Sequence, residues 1–307
     1  MGNISLKAST RAGALAITQS KSVIAMLKKV HPELNIEIKT ITTSGDSDRR
    51  TVLWNLKDTG FFTSQLEDAL LANQADFAVH SFKDLPTQPR EGLKIAAVCD
   101  RYFVEDCLVS NLHVVSIEQL PEGAKIGTSS LRRAAQIKHM RNDLETVPVR
   151  GNVKTRIRKL EAGDFDAIIL ARAGLERLGL GKKISFIFNP TEFIPAPAQG
   201  ALAIQTRSDD NNTNELIAAI NDKQVQMETN AERKILSILE CGCHAPVGAF
   251  AKIREDQITI HAFISNTDGT NLITQTKQGP SEKAEEIAQN LAKELLEAGG
   301  KEILKEI

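Results

Sequence analysis

Phe77-Ala78-Val79, followed at once by His80-Ser81-Phe82-Lys83-Asp84, is the stretch on which the fold turns. Three apolar residues in a row read as a short strand buried on both faces, and the polar residues at its end put chemistry at a sheet edge. Upstream, Ser64 and Glu67 make a capping-box pattern ahead of a helix through Leu66, Leu70 and Leu71. Ser44-Gly45-Asp46-Ser47-Asp48-Arg49-Arg50 is polar and turn-rich and reads as a mobile loop. Residues 36–43 read as a strand, and Ala16, Val23, Leu27 and Val30 line one face of a helix. Ile4, Leu6 and Ala8 alternate as a first strand that ends at Ser9-Thr10-Arg11. Such strand–helix–strand alternation predicts a mostly parallel sheet with helices on both faces.

The pattern restarts near residue 105. Lys125-Ile126-Gly127 leads into Thr128-Ser129-Ser130 and a helix containing Leu131, Ala134, Ala135 and Lys138. Val147 and Val149 read as a strand, and Asn152 as the cap of a helix through Val153, Ile157 and Leu160. Ala167-Ile168-Ile169-Leu170-Ala171 has the look of a fully buried parallel strand, and Ala201-Leu202-Ala203-Ile204 is a further apolar run after Pro195-Ala196-Pro197. A helix is expected from Ala231 to Leu239. In the last ninety residues or so, Ile258, Ile260, Ala262 and Ile264 alternate as a half-exposed antiparallel strand. Ala284, Ile287, Leu291 and Leu295 line a terminal helix that Gly299-Gly300 interrupts. No internal repeat is visible. The fold class is α/β, as two α/β domains and a smaller α+β one.

Composition bounds the function. The chain has 307 residues, a formal charge of −1 and 41% apolar residues, enough for two or three domains. Its near-neutral balance argues against a general nucleic-acid binder. No run of 18 apolar residues exists to span a membrane, and Met1-Gly2-Asn3-Ile4-Ser5-Leu6-Lys7 carries no apolar signal core, which points to the cytoplasm. Cys99, Cys107, Cys241 and Cys243 are then not a disulfide framework. Cys99 and Cys107 have apolar neighbours and read as buried. Cys243, between glycine and His244, reads as an exposed loop thiol with Cys241 as its rival. Cys241-Gly242-Cys243-His244 lacks the second ligand pair of a usual zinc site, so no metal is expected, and reactive thiol, buried small hydrophobe or weak metal site remain the readings for these cysteines.

Arg11, Arg132, Arg133, Arg150 and Arg156 stand beside element starts or strand ends, where a parallel sheet gathers its ligand crevice. Thr128-Ser129-Ser130 adds hydroxyls and helix-start N–H groups suited to carboxylate or phosphate. Arginine binds planar carboxylates bidentately, so the set points to a polyanionic ligand; decoration of a solvated face is the plainer alternative for Arg132 and Arg133. Asp84, held in a turn by Leu85-Pro86, suits general acid–base work or stabilisation of a cation, with Lys83 beside it for an anion. An aspartate that merely accepts turn hydrogen bonds is the commoner case for an isolated Asp-Leu-Pro. His80 near this site reads as a packing or orienting histidine.

Several blocks in order carry a resemblance: Ala78-Val79-His80-Ser81-Phe82-Lys83-Asp84-Leu85-Pro86, Gly127-Thr128-Ser129-Ser130-Leu131-Arg132-Arg133 and Arg150-Gly151-Asn152-Val153-Lys154-Thr155-Arg156. Asp166-Ala167-Ile168-Ile169-Leu170-Ala171, Ala173-Gly174-Leu175, Pro197-Ala198-Gln199-Gly200 and Gly242-Cys243-His244-Ala245-Pro246-Val247-Gly248 follow. Over about residues 4–250 the chain closely resembles the porphobilinogen deaminases. The resemblance implies two periplasmic-binding-protein-like domains with the active cleft between them, and a third domain carrying the cofactor cysteine. The implied boundaries are 1–99 with 198–217, then 100–197, then 218–307. It also implies a dipyrromethane cofactor on a thioether to Cys243, which the motif selects over Cys241.

The implied reaction joins four porphobilinogen molecules head to tail into hydroxymethylbilane and releases ammonia, with Asp84 catalytic. Cys243, Lys83, Asp84, Ser129, Arg132, Arg133 and Gly174 would hold the cofactor. Arg11, Ser81, Thr128, Ser130, Arg150, Arg156, Arg177 and Gln199 would bind porphobilinogen and the growing polypyrrole, in a monomer without nucleic-acid or membrane partners. The chain departs from the family pattern at Asn55 and Thr59, where lysines are common and Lys57 lies nearby, at Arg11-Ala12-Gly13, and at Cys241 in Glu240-Cys241-Gly242-Cys243. Two other classes stand beside this one: a two-domain anion-binding protein without catalysis, and a cysteine-dependent hydrolase, for which no triad accompanies Cys243.

Overall fold

The computed structural model describes residues 4–43, 63–239 and 245–306. The expected loop at Ser44–Arg50, the departures at Asn55 and Thr59, and Cys241, Cys243 and His244 lie outside the described residues. The strands are β1 (Ile4–Arg11), β2 (Leu34–Ile41), β3 (Phe77–Ser81), β4 (Leu93–Cys99), β5 (Asp106–Ser110), β6 (Lys125–Gly127) and β7 (Glu145–Val147). They continue as β8 (Ala167–Ala171), β9 (Phe186–Ile187), β10 (Leu202–Arg207), β11 (Val247–Arg254), β12 (Gln257–Ser265) and β13 (Leu272–Pro280).

Two compact units divide the chain. One contains described residues up to 102 and 200–226, the other 103–199 and 227–306. In the first, a five-stranded sheet runs in the order β2-β1-β3-β10-β4. Its β2-β1-β3 half is parallel and β10 is antiparallel to both neighbours, so the apolar run after Pro197 returns to fill the sheet between β3 and β4. Helix Ala14–Val30 covers one face through Val23 and Leu27, packed with Leu6, Ala8, Phe77, Val79, Leu202 and Ile204. Helix Ser64–Leu71 covers the other through Leu66 and Leu70 on Ala78 and Leu93.

The second unit holds a five-stranded sheet of order β7-β6-β8-β5-β9 and a three-stranded antiparallel sheet of order β11-β12-β13. Helix Leu131–Met140 lays Ile137 on the face made by Leu108, Ile126 and Ile169. Helix Val153–Glu161 lays Ile157 and Leu160 on the opposite face, against Cys107, Val109, Ile168 and Leu170. In the C-terminal sheet, Ile258, Ile260, Ala262 and Ile264 of the central strand are buried, and helices Lys223–Leu239 and Ala284–Leu295 share their core. Gly299, at φ +117, a conformation suited to a residue without a Cβ, interrupts the terminal helix, which resumes over Lys301–Lys305. Among the described residues no helix is long and apolar enough to cross a membrane.

The two five-stranded sheets have the same strand order once each is counted from its first parallel strand. The likeness extends to single bonds. Helix Ser64–Leu71 ends with Asn73 N–H donating to Leu70 O and Gln74 N–H to Ala69 O; helix Val153–Glu161 ends with Gly163 N–H donating to Leu160 O and Asp164 N–H to Lys159 O. Both are the same left-handed helix stop, with φ +54 at Asn73 and +85 at Gly163. Three residues beyond Asn73 and Gly163 the carboxylates repeat as well. Lys7 N–H donates to Asp76 Oδ2 at 2.6 Å, and Lys125 N–H to Asp166 Oδ2 at 2.7 Å. The likeness is carried by backbone geometry and a few side chains, and hardly at all by residue identity, which is why no repeat is visible in the sequence.

Three local expectations also change. Ser64 is the first helical residue and Thr63 is the N-cap; Glu67, placed in a capping box by its spacing, is buried and accepts from Gln205 Nε2 at 2.9 Å. Val149 lies beyond β7, where its N–H donates to Ser129 Oγ and its carbonyl accepts from that hydroxyl. β8 is parallel to β6 on one edge and antiparallel to β5 on the other. An apolar run buried on both faces does not encode strand direction.

Candidate active site

In a mixed sheet the carboxyl ends of the parallel strands gather ligand groups, because the helices that follow present free N–H groups there. In the first unit this edge holds Arg11 at the end of β1 and Ser81 at the end of β3. The chain leaves β3 through a single 3-10 turn, Phe82–Asp84, whose Phe82 is fully buried and donates its N–H to Ala201 O at 3.0 Å. That anchor holds the half-buried Lys83 and the exposed Asp84 in place at the edge. Ser81 Oγ is within 2.8 Å of Gln19 Nε2, which donates to it from the helix Ala14–Val30.

Four residues before Asp84, within β3, lies a buried polar group. His80 is 5% exposed, and burial pushes its imidazole down to about 4, with the charge of Arg11 acting in the same direction and a contact with Gln205 opposing. The imidazole is neutral at pH 7. Neither His80 Nε2 nor Gln205 Oε1 makes a hydrogen bond of good geometry, so this ring is held by packing more than by a partner.

The corresponding edge of the second unit is cationic. Ser130 caps helix Leu131–Met140, its Oγ facing Arg133 N–H at 3.4 Å, and Thr128 and Ser129 are buried beneath it. Ser129 Oγ donates to Val149 O at 2.7 Å, so its hydroxyl serves the loop that leads to Arg150. Asn152 caps helix Val153–Glu161 by accepting from Thr155 N–H at 2.9 Å, as its sequence position suggests. That cap presents Arg156, whose Nε donates to Gly151 O at 2.8 Å. Burial pushes Arg156 down to about 10, and the neighbouring positive charges of Arg133 and Arg150 push the same way. Gly174 is buried in the short helix Arg172–Arg177, which also carries the half-buried Arg177.

Arg132 and Arg133 are buried and converge on Asp106, which sequence reasoning missed. Arg132 Nη2 donates to Asp106 Oδ2 at 2.6 Å, and Arg133 donates to Oδ1 from Nη2 at 2.7 Å and from Nε at 3.1 Å. Gln199, expected to contact substrate, donates from Nε2 to Asp106 Oδ1 and to Val104 O, each at 2.9 Å. The only available signal was an acidic residue opening an apolar strand, Asp106-Cys107-Leu108-Val109. Two guanidiniums against one carboxylate leave a net positive charge, to which Arg150 and Arg156 add. Cys107 beside it is an inert thiol: burial, then the charge of Asp106, pushes it up to about 12.

Fold and site together define an α/β protein that presents an exposed carboxylate in one unit and a cationic, hydroxyl-lined edge in the other. The comparisons make the class particular. Residues 6–215 match the model of the porphobilinogen deaminase dipyrromethane cofactor-binding domain, and residues 226–297 match the C-terminal domain of the same enzymes. Porphobilinogen deaminase of Carboxydothermus hydrogenoformans is 43% identical over 97% of this chain and 96% of its own length. That of Deinococcus radiodurans is 41% identical over 97% of each chain, and that of Syntrophobacter fumaroxidans 39% over 98% and 97%. Among solved structures, the methionine-binding protein MetQ aligns at a TM-score of 0.46 and 12% identity, over 72% of this chain and 92% of that one.

The chain belongs to the porphobilinogen deaminase family. It is a transferase of tetrapyrrole synthesis that polymerises pyrroles and carries a dipyrromethane cofactor. A dipyrromethane with acidic side chains fits the residues present. Burial first, and then the charges of Arg133 and Arg150, disfavour the charged form of Arg156, and an entering anion offsets both.

Proposed function

We propose that the chain joins four porphobilinogen molecules head to tail on a dipyrromethane bound through a thioether to Cys243, and releases one ammonia at each addition. Each step forms a bond from the free α-carbon of the terminal ring to the aminomethyl carbon of the incoming molecule. The aminomethyl nitrogen leaves as ammonia, and the displaced α-hydrogen leaves as a proton. Water finally releases hydroxymethylbilane. When bound, the dipyrromethane supplies the terminal pyrrole that starts the chain.

Asp84 assists departure of the nitrogen and stabilises the positive charge that develops on the pyrrole nitrogen of porphobilinogen, then takes the α-proton. Its exposed position on an anchored turn supports that role. Lys83, Ser129, Arg132, Arg133 and Gly174 hold the cofactor with it. Arg11, Ser81, Thr128, Ser130, Arg150, Arg156 and Arg177 bind the acetate and propionate groups, and Gln199 serves the same site from Asp106. Every ring adds two carboxylates, so a growing chain needs a standing surplus of positive charge.

The observation that supports this reading is that surplus: Arg133, Arg150 and Arg156 gather around a helix start capped by Ser130, and burial first, then the charges of Arg133 and Arg150, lowers the Arg156 pKa. We also infer three domains, 1–99 with 198–217, 100–197 and 218–307, in a cytoplasmic monomer. The return of β10 to the first sheet supports the discontinuous first domain. The test is stoichiometry. Incubation with porphobilinogen should yield four ammonia per hydroxymethylbilane, whereas binding without consumption would leave an anion-binding protein.

A further inference from the structure

Asp106 is a carboxylate placed inside a site for carboxylates. It is 0% exposed. Electrostatically it opposes the ligand, since it cancels one of the positive charges that attract acetate and propionate groups. A buried charge is retained only where its hydrogen bonds are complete, and here Arg132, Arg133 and Gln199 all donate to it. Its service is therefore geometric. A guanidinium binds a carboxylate bidentately in one plane, and two donors on one Asp106 oxygen fix that plane for Arg133. Arg132 is fixed by Asp106 Oδ2 and by Ile194 O at 2.7 Å.

The hub reaches further. Gln199 is the last residue before the chain enters the first unit, and its neighbour Ala198 stands at φ +62. Ala198 N–H donates at 2.6 Å to Glu232 Oε2, and Ala251 N–H of β11 donates at 2.7 Å to Glu232 Oε1. Glu232 is itself fully buried. Gln199 is thus held in a rigid backbone frame, and through it the frame reaches the arginine pair.

We propose that Asp106 is a positioning residue of the polyanion site, which orients Arg132 and Arg133 and ties both to Gln199 at the chain crossing. It deepens the proposed function and rests on it. The reaction cannot proceed at full speed with guanidiniums that are attractive but misplaced, since a displacement of about 1 Å can reduce rate about 100-fold.

The experiment compares wild-type holoenzyme with Asp106→Asn. Steady-state turnover of porphobilinogen is measured alongside denaturing intact mass of the enzyme after a brief exposure to substrate. The expected result is kcat lower by about 100-fold per folded molecule with KM unchanged or lower, because one negative charge has been removed from a cationic site. Intact mass should show added rings stalled at short chain lengths. Wild-type kcat in the variant, or a KM that rises with unchanged ring distribution, overturns the proposal. If Asp106→Asn does not fold, Gln199→Met decides, since it leaves both arginine pairs: kcat about tenfold lower at unchanged KM supports the tie, and wild-type kinetics overturn it. A wild-type enzyme that makes no product would sink the proposed function itself, which is distinct from a working wild type beside an unaffected variant.

Discussion

The two five-stranded sheets share one frame and carry opposite chemistry at its end. After β1 the chain turns through Arg11-Ala12-Gly13 into a helix without a side-chain cap, and after β3 a short turn presents Asp84. After β6, its counterpart, the chain turns through Thr128-Ser129-Ser130 into a capped helix that begins Leu131-Arg132-Arg133. After β8 it presents a short helix with Gly174 and Arg177. The frames are kept by repeated bonds, Asp76 to Lys7 and Asp166 to Lys125, which leave the strand ends free to vary. A frame fixed at one end of a strand is what allows an acid to be placed in one unit and a cluster of bases in the other. This is the usual division between scaffold and site.

The comparison breaks first at Asp84. If the acid edge is catalytic, Asp84→Ala lowers kcat by roughly 100- to 10,000-fold, the range of a lost general acid or base, while the cofactor stays attached. Product formation at the wild-type rate would reduce Asp84 to a turn residue.

Next comes the neutral His80 behind that edge. Its folded pKa of about 4 lies below the ordinary 6.5, so the unfolded chain takes up a proton first as pH falls. Stability is then fully present above about pH 6.5 and declines as pH drops from there toward 4, by up to about 3 kcal/mol. Thermal unfolding between pH 7 and 5 should therefore fall more steeply for wild type than for His80→Gln. Parallel curves would show that another group carries the acid sensitivity.

On the basic edge, Arg156→Leu removes one charged donor worth about 1.5–3 kcal/mol, so KM for porphobilinogen rises about 10- to 100-fold. Arg156→Lys recovers only part, because a lysine restores the charge without the planar fork. Full recovery by lysine would mean that charge alone matters there. The smallest effect belongs to the frame: Asn152→Ala removes a helix cap and costs about 1 kcal/mol. That is a fall of a few degrees in Tm, with kcat per folded molecule largely kept.

Much of the frame is legible in the sequence because local physics writes it there. The Asn152 cap, the buried runs at Phe77–Val79 and Ala167–Ala171, the apolar settings of Cys99 and Cys107, and the alternation in β12 are all read from neighbours in the chain. Ser64 with Glu67 shows the limit. The spacing fits a capping box, yet Glu67 is drawn into the core by Gln205, a partner 138 residues away. Strand direction in β8 and β10 is likewise a tertiary fact. So is the repeat, since Asn73 and Gly163 share a backbone conformation without sharing a side chain. The arginines of the site were legible as residue types near strand ends. The pairing of Arg132 and Arg133 on Asp106, with Arg133 also beside Arg156, was not, because Asp106 and Gln199 come from distant parts of the chain.

The proposed function stands or falls on a chain of pyrroles grown from Cys243. Denaturing intact-mass spectrometry of the purified protein, followed by peptide mapping, tests it most directly. An added mass of two linked porphobilinogen-derived rings is expected, localised to the peptide at Cys243. An enzyme that turns over porphobilinogen with Cys243 unmodified, or with the rings on Cys241, would contradict it.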